Sequence, residues 1–279
     1  MINLELPEIE TLRRDLEREI VGRKIKSAEA MVLKPLVGIK HKTDFENDLV
    51  GAKIEAVGRS GMAIIITLDN EMNIVIQLGE NGRLEKQARK AENASDIVAV
   101  ISFTQGGDLR IADKKGTSSI QIVHDDEVES ALPPAEERGL DLLDSPLSWV
   151  DFGRLVVNQD MPLKLLLTDP SVFVGIGDIY SNEILFDAGL RYDRLSSTLS
   201  TQEIRRLYRS VVGIMHDAIK YRGTSLEERP FFDLHGEPGE YGDHLSVFGK
   251  TGDLSPRSRE PIKKTSFKHQ VVYYCNTQV

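Results

Sequence analysis

Between Ala52 and His124 the apolar residues come in short β-branched runs, whereas from Leu147 they recur three and four positions apart. The runs Met62-Ala63-Ile64-Ile65-Ile66-Thr67-Leu68, Asn73-Ile74-Val75-Ile76-Gln77-Leu78 and Ile97-Val98-Ala99-Val100-Ile101-Ser102-Phe103 are each the length of one strand. Turn sequences such as Leu68-Asp69-Asn70 and Gln105-Gly106-Gly107-Asp108 separate them, which predicts an antiparallel β-sandwich. Later, Ser200-Thr201-Gln202-Glu203 has the form of a capping box. Ile204, Leu207, Tyr208, Val211, Ile214, Met215, Ala218 and Ile219 follow it on one helical face. Strands and helices that occupy separate stretches of chain imply an α+β fold with more than one domain.

The flanks complete this division. Ile9, Leu12, Leu16 and Ile20 recur at helical spacing up to Gly22, with Pro7 where a first-turn proline is tolerated, so one amphipathic helix opens the fold. The stretch from Glu127 to Ser145 is acidic and carries Pro133-Pro134, the composition of a linker. After Gly236-Glu237-Pro238-Gly239, short extended stretches around Pro256-Arg257-Ser258-Arg259 read as a basic β-hairpin. The expected organisation is helix plus sandwich over 1–126, a linker over 127–146, a helical domain over 147–246 and the hairpin over 247–279.

A chain of 279 residues can bury a substantial core, and no apolar run reaches the roughly 18 residues of a membrane span. With an acidic rather than signal-peptide-like start, the expectation is a soluble, cytoplasmic protein without a membrane partner. The single cysteine, Cys275, excludes an internal disulfide and any cysteine-cluster zinc site. None of the six histidines stands at ligand spacing from another, so neither metal nor cofactor is expected. A formal net charge of −9 argues against tight nonspecific binding to nucleic acid, which relies on cationic side chains releasing counterions. The charge is uneven, however: residues 247–279 carry +4 and the rest −13.

Two separated motifs then bear on function. Residues Val172 to Leu185, Val-Phe-Val-Gly-Ile-Gly-Asp-Ile-Tyr-Ser-Asn-Glu-Ile-Leu, form a glycine turn that opens a helix, a place where backbone N–H groups can receive a phosphate. At the other end stands Glu5-Leu6-Pro7-Glu8-Ile9-Glu10-Thr11-Leu12-Arg13-Arg14. Together, and in this order, they resemble the formamidopyrimidine-DNA glycosylase and endonuclease VIII family. The resemblance implies a sandwich, a helix-two-turn-helix domain and a terminal hairpin finger.

The same resemblance fails at the chemistry. Family enzymes begin, after methionine removal, with a proline whose amine attacks the sugar; the matching position here is Leu4, preceded by three residues of which Ile2 disfavours methionine removal. Glu5 and Glu8 match the two glutamates of the family motif and are the catalytic candidates, although both acids also suit a helix N-terminus. Where the family lysine approaches DNA phosphates, Arg59-Ser60-Gly61-Met62-Ala63 offers Met62. Where a methionine fills the void left by a flipped base, Gln77-Leu78-Gly79-Glu80-Asn81-Gly82 offers Glu80. The wedge loop corresponds roughly to residues 112–117, keeping Lys114 and Lys115 but no aromatic.

The implied nucleic-acid contacts are Lys164, Gly175, Gly177, Asp178, Tyr180, Lys114, Lys115, Arg257 and Arg259. Asp178, in place of the family's asparagine, either repels a phosphate or serves as an ordinary helix N-cap. The family's finger cysteines fall at Ser255, Ser258, Cys275 and Gln278, implying a zincless finger, and its finger-turn arginine falls near Gln270. Gly223-Thr224-Ser225 resembles a loop that closes over the damaged base.

The leading expectation is a divergent glycosylase-fold protein, related to base-excision DNA repair, that lacks proline-dependent glycosylase and strand-cleaving activity and retains at most modest nucleic-acid binding, with DNA as the partner at reduced affinity. One alternative is a monofunctional glycosylase in which Glu5 activates water. Another is an RNA- or protein-binding module on the same fold.

Overall fold

The structure, a computed structural model, describes residues 4–88, 94–144 and 147–279. Met1–Asn3 and the last two residues of the expected linker, Ser145 and Pro146, lie outside the described residues. The fold is α+β, with two compact units: residues 1–134 with 222–239, and residues 135–221 with 240–279.

The first unit opens with α1 (Leu6–Ile20), followed by β1 (Ile25–Ala30) and the short α2 (Lys42–Asn47). Seven further strands follow: β2 (Ile54–Ser60), β3 (Ala63–Leu68), β4 (Met72–Gln77), β5 (Arg83–Gln87), β6 (Ile97–Phe103), β7 (Asp108–Ala112) and β8 (Ser119–His124). They form two four-stranded sheets, ordered β1-β6-β7-β5 and β2-β3-β4-β8, with every pair antiparallel. Registers such as Ile64↔Ile76 and Ile66↔Ile74 stack β-branched side chains across one face. Those residues share a buried cluster with Ala28, Ile101, Leu109 and Ile111 of the other sheet and with Ile9, Leu12, Leu16 and Ile20 of α1. The strand at Ile25–Ala30 escaped the sequence reading because Ile-Lys-Ser-Ala-Glu-Ala has no β-branched run; its pairing to β6 is tertiary. Residues Asp125–Ala131 close the unit as a 3-10 turn, and the Ala131 carbonyl accepts from the Gln77 and Gln121 side chains.

The second unit contains α3 (Trp149–Asn158), α4 (Leu163–Thr168), α5 (Asp178–Ala188) and α6 (Thr201–Lys220). The capping box at Ser200 and Glu203 starts α6. Gly189, at φ +68°, takes the left-handed position that ends α5. A hairpin, β9 (Lys263–Phe267) and β10 (Gln270–Tyr274), turns on Lys268 and His269, both at positive φ as a two-residue turn requires. Among the described residues no helix is long and apolar enough to cross a membrane.

Candidate functional site

In the first unit a cavity of about 380 Å³ is lined by Leu4, Leu12, Asn81, Gly82, Arg83, Asp96, Lys114, Pro230, Phe231 and Phe232. The start of α1, the turn after β4, the loop after β7 and the 222–239 segment all meet there. Its polar wall is ordered. Arg83 donates to Asp96 at 2.9 Å and to Glu85 at 2.8 Å. Asn81, in the left-handed region at φ +62°, precedes Gly82 in a tight turn. Leu4 therefore presents an apolar side chain to a cavity that also receives the ammonium-bearing side chain of Lys114.

Beside Leu4, Glu5 is buried and serves as the N-cap residue of α1, its backbone N–H donating to Glu8 Oε2 at 3.0 Å. The other Glu8 oxygen accepts from the Thr224 N–H at 2.8 Å. Glu8 thus joins the helix start to Gly223-Thr224-Ser225, where a side chain at Gly223 would meet Glu8 and Phe231 at 3.0 Å. Arg222 fixes the same segment by donating to Asp15 at 2.6 Å and by pairing with Asp233. Burial works to raise the Asp233 carboxyl, but Arg222 and the N–H groups of Glu237 and His235 outweigh it and hold it below the usual carboxylate range. The buried, doubly bonded carboxylate of Glu8 is an anchor for residues 222–239.

The segment Arg59-Ser60-Gly61-Met62-Ala63 is turned inward. The Arg59 side chain, 2% exposed, donates to Glu10 at 3.2 Å and to the Gly61 carbonyl at 2.7 Å, while Met62 packs against the core. Burial acts to raise the Glu10 carboxyl, and hydrogen bonds from Arg13, Arg14 and Arg59 outweigh it, so Glu10 stays below its ordinary range. The 113–118 loop is organised by Asp113, which accepts from the N–H groups of Lys115, Gly116 and Ser118 at 3.0, 2.7 and 2.6 Å. Lys114 is exposed on this loop. Lys115 forms an ion pair with Glu80 at 2.5 Å, so the position expected to fill a base void is held by the neighbouring loop.

In the second unit the glycine turn opens α5 as expected. Gly175 lies at φ +64°, Gly177 is the N-cap residue, and its carbonyl accepts from Ser181 N at 3.1 Å. Asp178 is consequently not the N-cap but the first helical residue, where the helix dipole favours an acid. Lys164, fully buried, donates to Asp178 at 3.1 Å and to the Ser181 hydroxyl at 2.7 Å. A buried ammonium requires such partners, so Lys164 neutralises Asp178 inside the unit rather than standing at its surface. Tyr180 is also fully buried, its ring 5.8 Å from that of Tyr241, and has no exposed side-chain surface.

Residues 4–120 match the family model of the formamidopyrimidine-DNA glycosylase N-terminal domain, and residues 139–229 that of the formamidopyrimidine-DNA glycosylase H2TH domain. The chain belongs to the formamidopyrimidine-DNA glycosylase family. It is 32% identical over 276 residues to the formamidopyrimidine-DNA glycosylase of Heliobacterium modesticaldum, covering 97% of this chain and 98% of that protein. It is 30% identical over 273 residues to that of Pelotomaculum thermopropionicum, covering 98% of each. Among solved structures, the complex of Lactococcus lactis Fpg with DNA containing an abasic site superposes with a TM-score of 0.83 at 25% identity, over 97% of both chains.

The zinc finger expected of the glycosylase family meets an unsuitable donor set here. Ser255, Cys275 and Gln278 are buried together, and one thiol stands where four ligands would be needed. Gln278 is already committed, its oxygen accepting from Cys275 N and its amide donating to the Leu190 carbonyl, both at 2.9 Å. Ser255 accepts from Arg257 N at 3.2 Å and Ser258 N at 3.3 Å. Burial acts to raise the Cys275 thiol, while hydrogen bonds with Thr277, Ser255 and Ser258 outweigh it and hold it below its ordinary value. Hydrogen bonds therefore join the four positions, which do not fit zinc.

The remaining finger candidates divide. Arg257 donates to the carbonyls of Phe186 and Asp187 at 2.7 and 2.8 Å, capping the end of α5. Arg259 is exposed at a positive-φ corner. Gln270 donates to the Thr168 hydroxyl at 2.8 Å, fastening the hairpin tip to α4. Asn182, which the sequence reading missed, ties α5 to β10 by donating to Val271 O at 3.1 Å and accepting from Tyr273 N at 2.7 Å. Arg83, Asp96, Phe231 and Phe232 of the cavity were missed as well. They come from separate stretches, and only the Asn81-Gly82 turn beside them carries a local signal.

Proposed function

We propose that this chain is a DNA-binding member of the glycosylase family that has lost proline-dependent base removal and strand cleavage. The observation that carries this reading is Leu4 on the cavity wall. Its nitrogen is a peptide amide bonded to Asn3, and resonance with the carbonyl removes the nucleophilic lone pair that an imine needs. DNA is taken as the ligand because Lactococcus lactis Fpg, which this chain resembles, is solved with abasic-site DNA. Lys114 and Arg259 are the contacts best placed among the candidates, being exposed and, unlike Lys115 and Arg257, not engaged by another group among the described residues; Lys164, Tyr180 and Glu8 act as supports.

The test is binding and cleavage together on labelled duplexes carrying an abasic site, 8-oxoguanine or no damage, with borohydride present to trap an imine. Binding of the abasic duplex with neither adduct nor cut strand is the expected result. A trapped adduct or a nick would overturn it. Base loss without an adduct would assign water activation to Glu5 instead.

A further inference from the structure

Next to the Leu4 cavity lies a cleft of about 330 Å³ lined by Lys34, Lys114, Lys115, Asp96 and Asp113, with Val32, Pro35 and Gly116 among the rest of its wall. Lys114 and Asp96 belong to both walls and separate the two spaces. The acids of the cleft are already committed. Asp96 accepts from Arg83 at 2.9 Å. Asp113 accepts three backbone N–H groups, which outweigh the opposing effect of burial and hold it below the usual carboxylate range. Of the three lysines, Lys115 is drawn to Glu80.

Lys34 and Lys114 are different. Lys34 is exposed and, among the described residues, reaches only the Lys115 carbonyl, at a long 3.5 Å. It lies across Gly116, where a Cβ would meet its Nζ at 3.2 Å; Gly116, at φ +64°, leaves the space through which two segments some 80 residues apart converge. Lys114 is exposed on the loop that Asp113 shapes. Two ammonium groups without an acidic partner among the described residues therefore share a cleft whose carboxylates are satisfied elsewhere.

We propose that this cleft binds one phosphate of a DNA backbone between Lys34 and Lys114. The inference rests on the DNA-binding reading above, and it assigns Lys34 a contact that the motifs do not indicate. Its chemistry is point-charge neutralisation, which makes the affinity salt-dependent.

The experiment measures anisotropy of a labelled abasic-site duplex against the full chain over a range of KCl concentrations. The double variant Lys34→Ala/Lys114→Ala removes that one phosphate contact and should reduce the slope of log K against log salt by about 0.9 and weaken binding about 8-fold at 0.1 M salt, with each single variant losing part of that slope. Lys26→Ala, on the exposed face of β1, is the control and should leave the slope unchanged. If the wild-type chain binds and both lysine variants keep its slope, the cleft is not a DNA-phosphate site and the DNA-binding reading survives. If the wild-type chain binds no duplex, that reading itself falls. Inorganic phosphate is added in a parallel arm at matched ionic strength; competition at millimolar concentration would assign the cleft to free phosphate and overturn the proposal.

Discussion

Two places in this chain lack the residues that the glycosylase pattern leads one to expect, and they differ in what replaced them. In the hairpin finger the positions of the missing cysteines, Ser255, Ser258, Cys275 and Gln278, are joined by hydrogen bonds in which Gln278 satisfies both Cys275 N and Leu190 O. At Leu4 an apolar side chain lines a cavity of about 380 Å³. The difference follows from what each residue set did. A structural metal holds backbone together, and its loss exposes buried polar groups that must find partners or cost stability. A nucleophile does no such holding, so a fold with leucine at that position needs no replacement bonds. The carboxylate that survives near Leu4 survives in the same sense: Glu8 anchors Thr224 and Glu5 through backbone N–H groups.

This contrast can be broken most directly at Glu8. Glu8→Ala strands two buried N–H donors at about 1–3 kcal/mol each, so urea unfolding should show a loss of about 2–6 kcal/mol. A variant with wild-type stability would remove Glu8 from the supporting framework. In the finger, Gln278→Ala should cost about 2–3 kcal/mol by unpairing Cys275 N and Leu190 O, read as a lower melting temperature, while EDTA leaves the wild-type melt unchanged. A melt lowered by EDTA would mean that a metal, and not the hydrogen bonds, holds the finger.

Smaller effects sharpen the comparison. Glu10 sits below its ordinary carboxylate range in the fold, so its contribution is present above the unfolded-state value and is lost as pH falls through the folded one. Glu10→Gln should flatten the acid limb of a stability-against-pH curve, leaving the slope at neutral pH alone. Smallest is Arg257→Ala, which removes the cap on α5. It should cost about 1 kcal/mol and leave the salt dependence of DNA binding unchanged, as a helix cap and not a phosphate contact would. A reduced salt slope would return Arg257 to the list of contacts.

Much of the site lay open in the chain itself, because its signals are local. Leu4 in the first motif, Glu80 in place of a methionine and a lone Cys275 all depart from the glycosylase pattern by residue type alone. What each surviving candidate does is a different question. Lys164 reads in sequence as a cation available to phosphate, and only burial against Asp178 and Ser181 makes it an internal counterion. Arg257 and Arg259 stand two residues apart in one basic stretch and both are exposed, yet only the first donates to the carbonyls of α5 among the described residues.

The sequence by itself determined the two architectures, since β-branched runs and three-to-four spacing fix which face of each element is apolar, and it determined the absence of a proline at the motif's head. Tertiary structure alone decided that Glu8 anchors the 222–239 segment, that Asp96 and Lys114 divide two neighbouring spaces, and that Lys34 lies beside them. Hydrophobic period is written in neighbouring residues. Pairing of charges and convergence of loops depend on residues far apart in the chain, and no local pattern encodes which of them will meet.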